Sequence, residues 1–89
     1  MDKAFLGVTA ISLTEGLSNA DLLDAQIKIA MISVAKEVIV VADHKKVGQV
    51  HFAPVASITA VHKLVIDDGI SPEEVKAFEE KGIEVIVAR

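Results

Sequence analysis

Residues 38–48, VIVVADHKKVG, decide the fold class: five apolar residues, four of them β-branched, precede Asp43, His44, two lysines and a glycine. A continuous apolar run without alternation is typical of a strand buried on both faces, as in a parallel sheet covered by helices. The polar cluster then lies at the carboxyl end of that strand. Because ligands of open α/β sheets bind in the crevice at this edge, Asp43 and Lys46 are the first candidate site residues.

The order of apolar segments predicts two βαβ units. Strands are expected over residues 4–11, 62–66 and 83–88, with irregular segments over residues 12–18 and 47–61, the latter holding one helical turn near residues 55–60. A helix follows the first loop, because apolar residues recur there at i, i+4, i+7, i+8 and i+11 in one stripe. Parallel strands with right-handed crossovers follow. The stripe consists of Leu23, Ile27, Ala30, Met31 and Val34.

The second helix carries the clearest local signal in the chain. Ser71 is the expected N-cap, Pro72 the first helical residue and Glu74 the capping-box partner. The helix is expected to end near Lys81, with Gly82 just beyond its last turn.

The composition limits the size of the core and the kind of partner. With 89 residues the chain makes one small domain, residues 1–89, which we expect to be a three-layer α/β unit with a mainly parallel sheet. Hydrophobic residues make up 52% of the chain and the mean hydropathy is +0.49, more apolar material than so small a core hides. A partner surface is therefore expected. The formal charge of −4, with no Trp or Tyr, argues against a nucleic-acid surface on this chain.

The chain contains no Cys, so it has neither disulfides nor thiolate chemistry, which fits a reducing cytoplasm. Asp2 and Lys3 lead directly into an apolar strand without the pattern of a secretory signal. The longest apolar runs are shorter than the roughly 20 residues that span a bilayer. We therefore expect a cytoplasmic protein without a membrane partner.

A lysine just past a strand end suits a phosphate, because its ammonium group is a compact point charge. In this interpretation Lys46 binds the phosphate, while Asp43 orients the Lys46 side chain or accepts hydrogen bonds from a sugar hydroxyl. The alternative is that Lys46 is an ordinary solvated loop lysine. Thr9 and the acidic residues after the third strand, Asp67 and Asp68, are expected at the same edge of the sheet.

Two acidic positions have simpler explanations than a ligand site. Asp24 precedes Lys28 by one helical turn, and such a pair stabilises a helix by about 0.3–0.5 kcal/mol. The run Asp67-Asp68-Gly69 is typical of turns, because Asp and Gly adopt the required dihedral angles. Two adjacent carboxylates without a third ligand also make a poor Mg²⁺ site.

The sequence predicts no metal centre, no cofactor and no catalytic residue. His44, His51 and His62 match no zinc-binding spacing, and the five glycines lie too far apart for a dinucleotide fingerprint or a P-loop. None of the serines lies in a nucleophile motif.

The order of several short motifs resembles one known family, the effector-sensing domains of DeoR-type bacterial transcriptional repressors, over their carboxyl-terminal part. The family pattern runs D-x-A-F-x-G, G-L/F-T/S-x, E-A-x-x-K-x-x-M, L-x-D-x-S-K-x-G and I/L-x-T-D, and nearly all of the chain falls inside it. The matching segments are DKAFLGVTAISLTEGLSN (2–19), DAQIKIAM (24–31), VIVVADHKKVG (38–48), FAPVA (52–56) and KLVIDD (63–68).

The resemblance implies a fold like that of ribose-5-phosphate isomerase and CoA transferases, and binding of phosphorylated sugars or related metabolites. Such repressors contact DNA through an amino-terminal winged helix-turn-helix, which this chain lacks, and generally act as oligomers. The chain then corresponds to a fragment of a repressor that reaches DNA only through that missing domain. A homo-oligomer and no enzymatic activity are expected.

The resemblance also implies a set of ligand-binding residues. At the turn after the strand of residues 38–42, His44 and Lys45 stand where small or polar residues are commoner in the family. Asp24 stands in place of the usual Glu, one methylene longer, and Ile66 in place of the usual Thr. The residues carried over by position are Asp43, Lys46, Gly7, Thr9, Asp24 and Asp67.

Three functional hypotheses follow. In the first, the chain is a sensor that binds a phosphorylated sugar through Lys46 and Asp43. In the second, it is an isomerase-like enzyme acting on a sugar phosphate, with Asp24 as general base and Lys46 stabilising charge. In the third, it is an assembly domain whose carboxyl edge binds nothing, and whose apolar excess forms a dimer.

Overall fold

The computed structural model describes residues 2–88. Those residues form seven strands, two α-helices and two short 3₁₀ turns. The strands are β1 (Lys3–Gly7), β2 (Ala10–Ser12), β3 (Gly16–Asn19), β4 (Glu37–Ala42), β5 (Ala53–Ala56), β6 (Lys63–Asp67) and β7 (Glu84–Ala88). The helices are α1 (Leu22–Val34) and α2 (Pro72–Glu80), and the 3₁₀ turns are His44–Lys46 and Ile58–Ala60.

Four strands form a parallel sheet in the order β1-β4-β6-β7, which confirms a mixed α/β fold with a mainly parallel sheet. Strand β4 lies between β1 and β6: its Val41 pairs with Gly7 of β1, and its Ala42 pairs with Ile66 of β6. The two predicted helix crossovers are present, with β2 and β3 inserted between β1 and α1. The carboxyl ends of β1, β4 and β6 therefore meet at one edge.

A second sheet of three antiparallel strands, β2-β3-β5, replaces much of the two predicted irregular segments, 12–18 and 47–61. Gly16 permits the close approach of β3 to β5, since its φ is 78° and an added Cβ would collide with the carbonyl oxygen of Ala56. These strands are only three or four residues long, too short for a periodic hydrophobic signal. The predicted helical turn is confirmed at Ile58–Ala60.

The core lies on one face of the parallel sheet. Phe78 of α2 and Ala25 of α1 are fully buried and belong to the same cluster as Leu6, Val40 and Leu64 of the sheet. Because the strands follow one another in one direction across the sheet, right-handed crossovers place both helices on the same face.

The opposite face of the sheet is open in residues 2–88. Phe5, Val41 and Ile86 lie on it and are 63%, 46% and 41% exposed. The expected double burial of β4 holds for Val38, Ile39 and Val40, which are all buried, but not for Val41. The expected third layer is absent from the described residues. The run of β-branched residues is typical of double burial, but both crossovers pass on the same side of the sheet.

Helix α1 turns most of its predicted apolar stripe outward. Leu23, Ile27 and Val34 are 68%, 54% and 57% exposed, whereas Ala25 is fully buried and Met31 is partly buried. The helix packs mainly against β5 and β3 rather than against the parallel sheet. Most of the predicted stripe therefore faces away from the core, and a polar cluster described below lies on the inner side of the helix.

The predicted start of α2 is confirmed in atomic detail. The Ser71 hydroxyl accepts a hydrogen bond from the Glu74 N–H at 3.2 Å, and the Glu74 carboxylate accepts one from the Ser71 N–H at 3.1 Å. Pro72 is the first helical residue, Lys81 is the C-cap, and Gly82 has a φ of 86°. These reciprocal bonds satisfy backbone donors that the first turn of a helix leaves without partners.

Replacing Gly16 with Ala should destabilise the fold far more than replacing Gly48 with Ala. Both glycines have positive φ, 78° and 85°, so each change costs about 1–2 kcal/mol for the left-handed backbone. At Gly16 the new Cβ also collides with the backbone of β5, whereas open space surrounds Gly48. Urea unfolding of the two variants and the parent measures the difference, and equal losses would contradict the close approach of β3 and β5.

Candidate functional site

The polar segment after β4 folds into a 3₁₀ turn capped by Asp43. The Asp43 carboxylate accepts a hydrogen bond from the Lys45 N–H at 3.0 Å, and the Asp43 carbonyl accepts one from the Lys46 N–H at 3.0 Å. Lys46 Nζ lies 3.8 Å from Asp43 Oδ2, and the two side chains are 38% and 49% exposed. That separation exceeds a hydrogen bond, so the ammonium group sits beside a carboxylate with its donors able to turn toward an anion.

Asp67, the last residue of β6, fastens this turn to the neighbouring strand. One of its oxygens accepts a hydrogen bond from the His44 N–H at 2.6 Å, and the other lies 2.7 Å from Nδ1 of the His44 ring. The hydrogen bond with the His44 side chain holds the pKa of Asp67 below its usual range, although desolvation acts in the opposite direction. Gly69 is required next to the ring, because an added Cβ would collide with it. Asp67 therefore positions the turn that carries Asp43 and Lys46.

Thr9, just beyond β1, holds together the end of β3 and the segment before β5. Its hydroxyl accepts a hydrogen bond from the Ala20 N–H at 3.2 Å and lies 3.3 Å from the Ser18 carbonyl oxygen and 2.8 Å from Nδ1 of His51. A hydroxyl has one donor and two acceptor positions, and these three partners occupy them. Thr9 thus has a structural role at the edge of the sheet.

The first turns of α1 are fixed by a cluster of Asn19, Asp24 and Lys28. Asn19 is buried at 1% exposure and its amide donates to Asp24 Oδ2 at 2.6 Å. Lys28 Nζ lies 2.9 Å from the same oxygen and 3.4 Å from Asn19 Oδ1, with its side chain 13% exposed. The hydrogen bond from Lys28 holds the pKa of Asp24 below its usual range. Lys28 therefore lies on the inner side of α1, the Asp24 side chain is 49% exposed, and most of the apolar stripe faces outward.

The structure therefore divides the six predicted site residues among separate groups. Asp43, Lys46 and Asp67 belong to one connected turn, and Gly7 ends β1 at the same edge with open space around it. Thr9 belongs to the β3 contacts, and Asp24 to the α1 cluster.

Several residues that define these groups were not predicted as site residues, namely His44, Asn19, Lys28 and His51. Their roles depend on partners far along the chain: His44 contacts a residue 23 positions away, and His51 one 42 positions away. A single sequence carries no signal for such pairs. Only the Asp24–Lys28 pair could be predicted, from its i, i+4 spacing. In the structure Lys28 Nζ lies 2.9 Å from Asp24 Oδ2.

His62 also has a structural partner, because its Nδ1 accepts a hydrogen bond from the Val38 N–H at 2.9 Å. Within residues 2–88, no three His, Asp or Glu side chains lie close enough together to hold a metal ion. No helix in that part of the chain is long and apolar enough to cross a membrane.

Residues 1–68 match the family model of the DeoR C-terminal sensor domain. The chain belongs to the DeoR sensor-domain family. The matched region includes β1 to β6, and hence the whole Asp43–Lys46 turn and its Asp67 partner.

Relatives of the chain carry the names of transcriptional regulators. The regulator IolR of Bacillus subtilis is 34% identical over 88 residues, which are 99% of this chain and 35% of that protein. The uncharacterised regulator YulB of the same species is 33% identical over 85 residues, 96% of this chain and 33% of that protein. A putative aga operon repressor of Escherichia coli O157:H7 is 30% identical over 86 residues, 97% of this chain and 32% of that protein. The chain thus spans about a third of the length of these relatives.

Replacing His44 with Ala should raise the pKa of Asp67 toward its usual value, because the largest cause of the depression is lost. NMR titration of the carboxylate carbons measures this directly. A depressed folded-state pKa stabilises the fold above the unfolded pKa, and that stabilisation is lost as the pH falls through the folded value. The variant should therefore lose stability at neutral pH but retain most of it at acidic pH.

Asp24 supplies the matched control for this titration. Its pKa should not change in the His44 variant, because it depends on Lys28 and Asn19. Replacing Lys28 with Met should raise the pKa of Asp24 and leave that of Asp67 in place. A His44 variant in which both carboxyl groups shift would show a general loss of structure instead of a lost contact.

Proposed function

We propose that this chain is the ligand-sensing unit of a transcriptional regulator, and that it binds a phosphorylated sugar at the carboxyl edge of its parallel sheet. Membership of the DeoR sensor-domain family supports the regulatory role. The observation that carries the ligand proposal is the capped turn, in which the Lys46 ammonium lies 3.8 Å from Asp43 Oδ2 and both groups are accessible.

The two side chains suit the two parts of a sugar phosphate. Lys46 offers a positive point charge with three donors, which matches a phosphate oxygen. Asp43 uses one oxygen to cap the turn through the Lys45 N–H, so its second oxygen is available to accept hydrogen bonds from a sugar hydroxyl. Charge-assisted hydrogen bonds of both kinds are stronger than neutral ones. The proposed ligand therefore bridges Lys46 and Asp43.

The other predicted site residues have different roles in this proposal. Gly7 lies at the end of β1, next to β4, and the open space around it lets a ligand approach the backbone. Asp67 supports binding through His44, and Thr9 and Asp24 support the shape of the edge through β3 and α1. We thus expect direct contacts from Asp43, Lys46 and Gly7.

The regulators that the chain resembles suggest how this unit acts within a longer protein. Residues 1–89 act as one unit, the carboxyl-terminal part of a cytoplasmic sensor domain without a cofactor. Contact with DNA is made by a separate part of the regulator, since this chain has a net charge of −4. Ligand binding alters DNA binding only if the ligand has different affinities for the two regulatory states.

An isomerase-like enzyme is less compatible with the geometry. That alternative requires Asp24 as general base, and an effective base has a pKa near the working pH. The hydrogen bond from Lys28 lowers the pKa of Asp24 instead, which makes the carboxylate a weaker base. Lys28 and Asn19 also occupy the same carboxylate oxygen, at 2.9 Å and 2.6 Å.

Replacing Lys46 with Ala should weaken binding of the sugar phosphate by about tenfold or more, because a hydrogen bond to a charged group contributes about 1.5–3 kcal/mol. Isothermal titration calorimetry with a panel of pentose and hexose phosphates measures the effect. Unphosphorylated sugars and inorganic phosphate serve as reference ligands.

The neighbouring Lys45 provides the matched control. Lys45→Ala removes the same charge from the same turn, and its side chain is exposed, so binding should remain close to that of the parent. If no sugar phosphate bound to the parent, or if the Lys46 and Lys45 variants lost affinity equally, the assignment of the phosphate to Lys46 would be wrong.

A further inference from the structure

The ring of His44 is held in one orientation by two neighbours, although the side chain is 39% exposed. Its Nδ1 atom lies 2.7 Å from Asp67 Oδ2, and the His44 backbone N–H donates to Asp67 Oδ1 at 2.6 Å. The ring also packs against Gly69, since a Cβ at that position would collide with Nδ1, Cγ and Cε1 of the ring. The backbone bond alone would fasten the turn to β6, so the fixed ring has no explanation in the turn itself.

The contact with Asp67 determines which ring nitrogen is free. The hydrogen bond with His44 holds the pKa of Asp67 below its usual range, so this carboxyl group is ionised at neutral pH and only accepts hydrogen bonds. Nδ1 must therefore carry a proton, and in the neutral ring Nε2 has the lone pair. Within residues 2–88 Nε2 has no hydrogen-bond partner. His44 thus presents an oriented acceptor at the carboxyl edge of the sheet.

An acceptor of this kind suits a hydroxyl better than a phosphate. A phosphate dianion offers only acceptor oxygens, whereas a sugar hydroxyl has a proton to donate. The charges nearby favour the same ligand group, because Asp67 and the exposed Asp68 follow β6 on this side of the turn. A phosphate placed here would meet carboxylates of like charge.

The directions of three side chains around the turn indicate how a ligand would lie. Residues three apart share a side of a 3₁₀ turn, and Lys46 lies beside Asp43, with Nζ 3.8 Å from Oδ2. His44 is directed instead to the end of β6, where it contacts Asp67. Consecutive Cα atoms are about 3.8 Å apart, and a sugar is wider than this spacing. Hydroxyls of one sugar can therefore reach both Asp43 and His44.

We propose that His44 is a further ligand-binding residue of this site, and that its Nε2 accepts a hydrogen bond from a hydroxyl of the phosphorylated sugar. The phosphate then lies at Lys46, one hydroxyl at Asp43 and a second hydroxyl at His44. Asp67 is a positioning residue, because it acts through the His44 ring. The ligand class is narrowed to sugar phosphates with at least two free hydroxyls. This assignment rests on the proposed function, which supplies the sugar phosphate at Lys46.

The substitution His44→Asn separates the ligand contact from the contact with Asp67. The side-chain amide nitrogen of Asn occupies nearly the same place as Nδ1 of His, so the variant retains a donor to Asp67 and lacks Nε2. NMR titration of the carboxylate carbons checks this design. The pKa of Asp67 should stay below its usual value in His44→Asn, in contrast to His44→Ala, where the donor is lost.

Isothermal titration calorimetry with the pentose and hexose phosphates gives the main result. His44→Asn should weaken binding by about threefold to tenfold, the usual effect of one lost hydrogen bond, whereas Lys45→Ala should leave it unchanged. Analogues of the sugar phosphate that lack one hydroxyl each complete a double-mutant cycle. The analogue without the hydroxyl that His44 binds should bind equally to the parent and to His44→Asn, and the other analogues should keep the difference.

Long-range proton–nitrogen NMR of the parent tests the ring directly. The neutral ring should carry its proton on Nδ1, and saturating sugar phosphate should shift the Nε2 resonance much more than that of Nδ1. A proton on Nε2, or an Nε2 resonance that the ligand does not move, would overturn the assignment.

The calorimetric outcomes distinguish this assignment from the proposed function on which it rests. Equal affinities of the parent and His44→Asn, with Lys46→Ala still weaker, would leave the phosphate at Lys46 and restrict the His44 ring to fastening the turn. A parent that binds none of the sugar phosphates would overturn both.

Discussion

The rest of the structure depends on one topological constraint: the parallel strands follow one another across the sheet in a single direction, β1-β4-β6-β7. Right-handed crossovers then pass on the same face, so both helices pack there and the other face stays open. The same order brings the carboxyl ends of three adjacent strands to one edge. The position of the candidate ligand site and the exposure of Phe5 and Val41 therefore have a common origin.

The sequence was sufficient for those parts of the fold that are encoded locally. The β-branched run at β4 predicted a strand of a parallel sheet, and the capping box at Ser71 predicted the start of α2. The small antiparallel sheet was not predictable, because its strands are only three or four residues long and β3 pairs with β5, which lies far along the chain. Double burial of β4 was predicted only in part: Ile39 is buried, but Val41 on the same face is 46% exposed, because both crossovers pass on the other side of the sheet.

At the candidate site, too, the locally encoded features were predictable and the long-range contacts were not. Asp43 and Lys46 are three positions apart, and their joint placement on a capped turn follows from the end of a strand and an Asp N-cap. The contacts that hold that turn in place could not be predicted from the sequence. Asp67 was predicted to contact the ligand, but its two oxygens bind His44. The orientation of α1 was not predictable for a related reason. Periodicity identified an apolar stripe, but the buried amide of Asn19 determines which side of the helix faces inward.

Buried polar groups must be satisfied, and this requirement links the edge of the sheet to α1. Thr9 at the carboxyl end of β1 binds the backbone at Ser18 and Ala20, and Asn19 between them binds Asp24 and Lys28 of the helix. A displacement of the backbone near Thr9 must therefore either break these bonds or move the first turns of α1. Breaking them would leave the buried side chain of Asn19 without its partners, and an unsatisfied buried polar group costs about 1–3 kcal/mol.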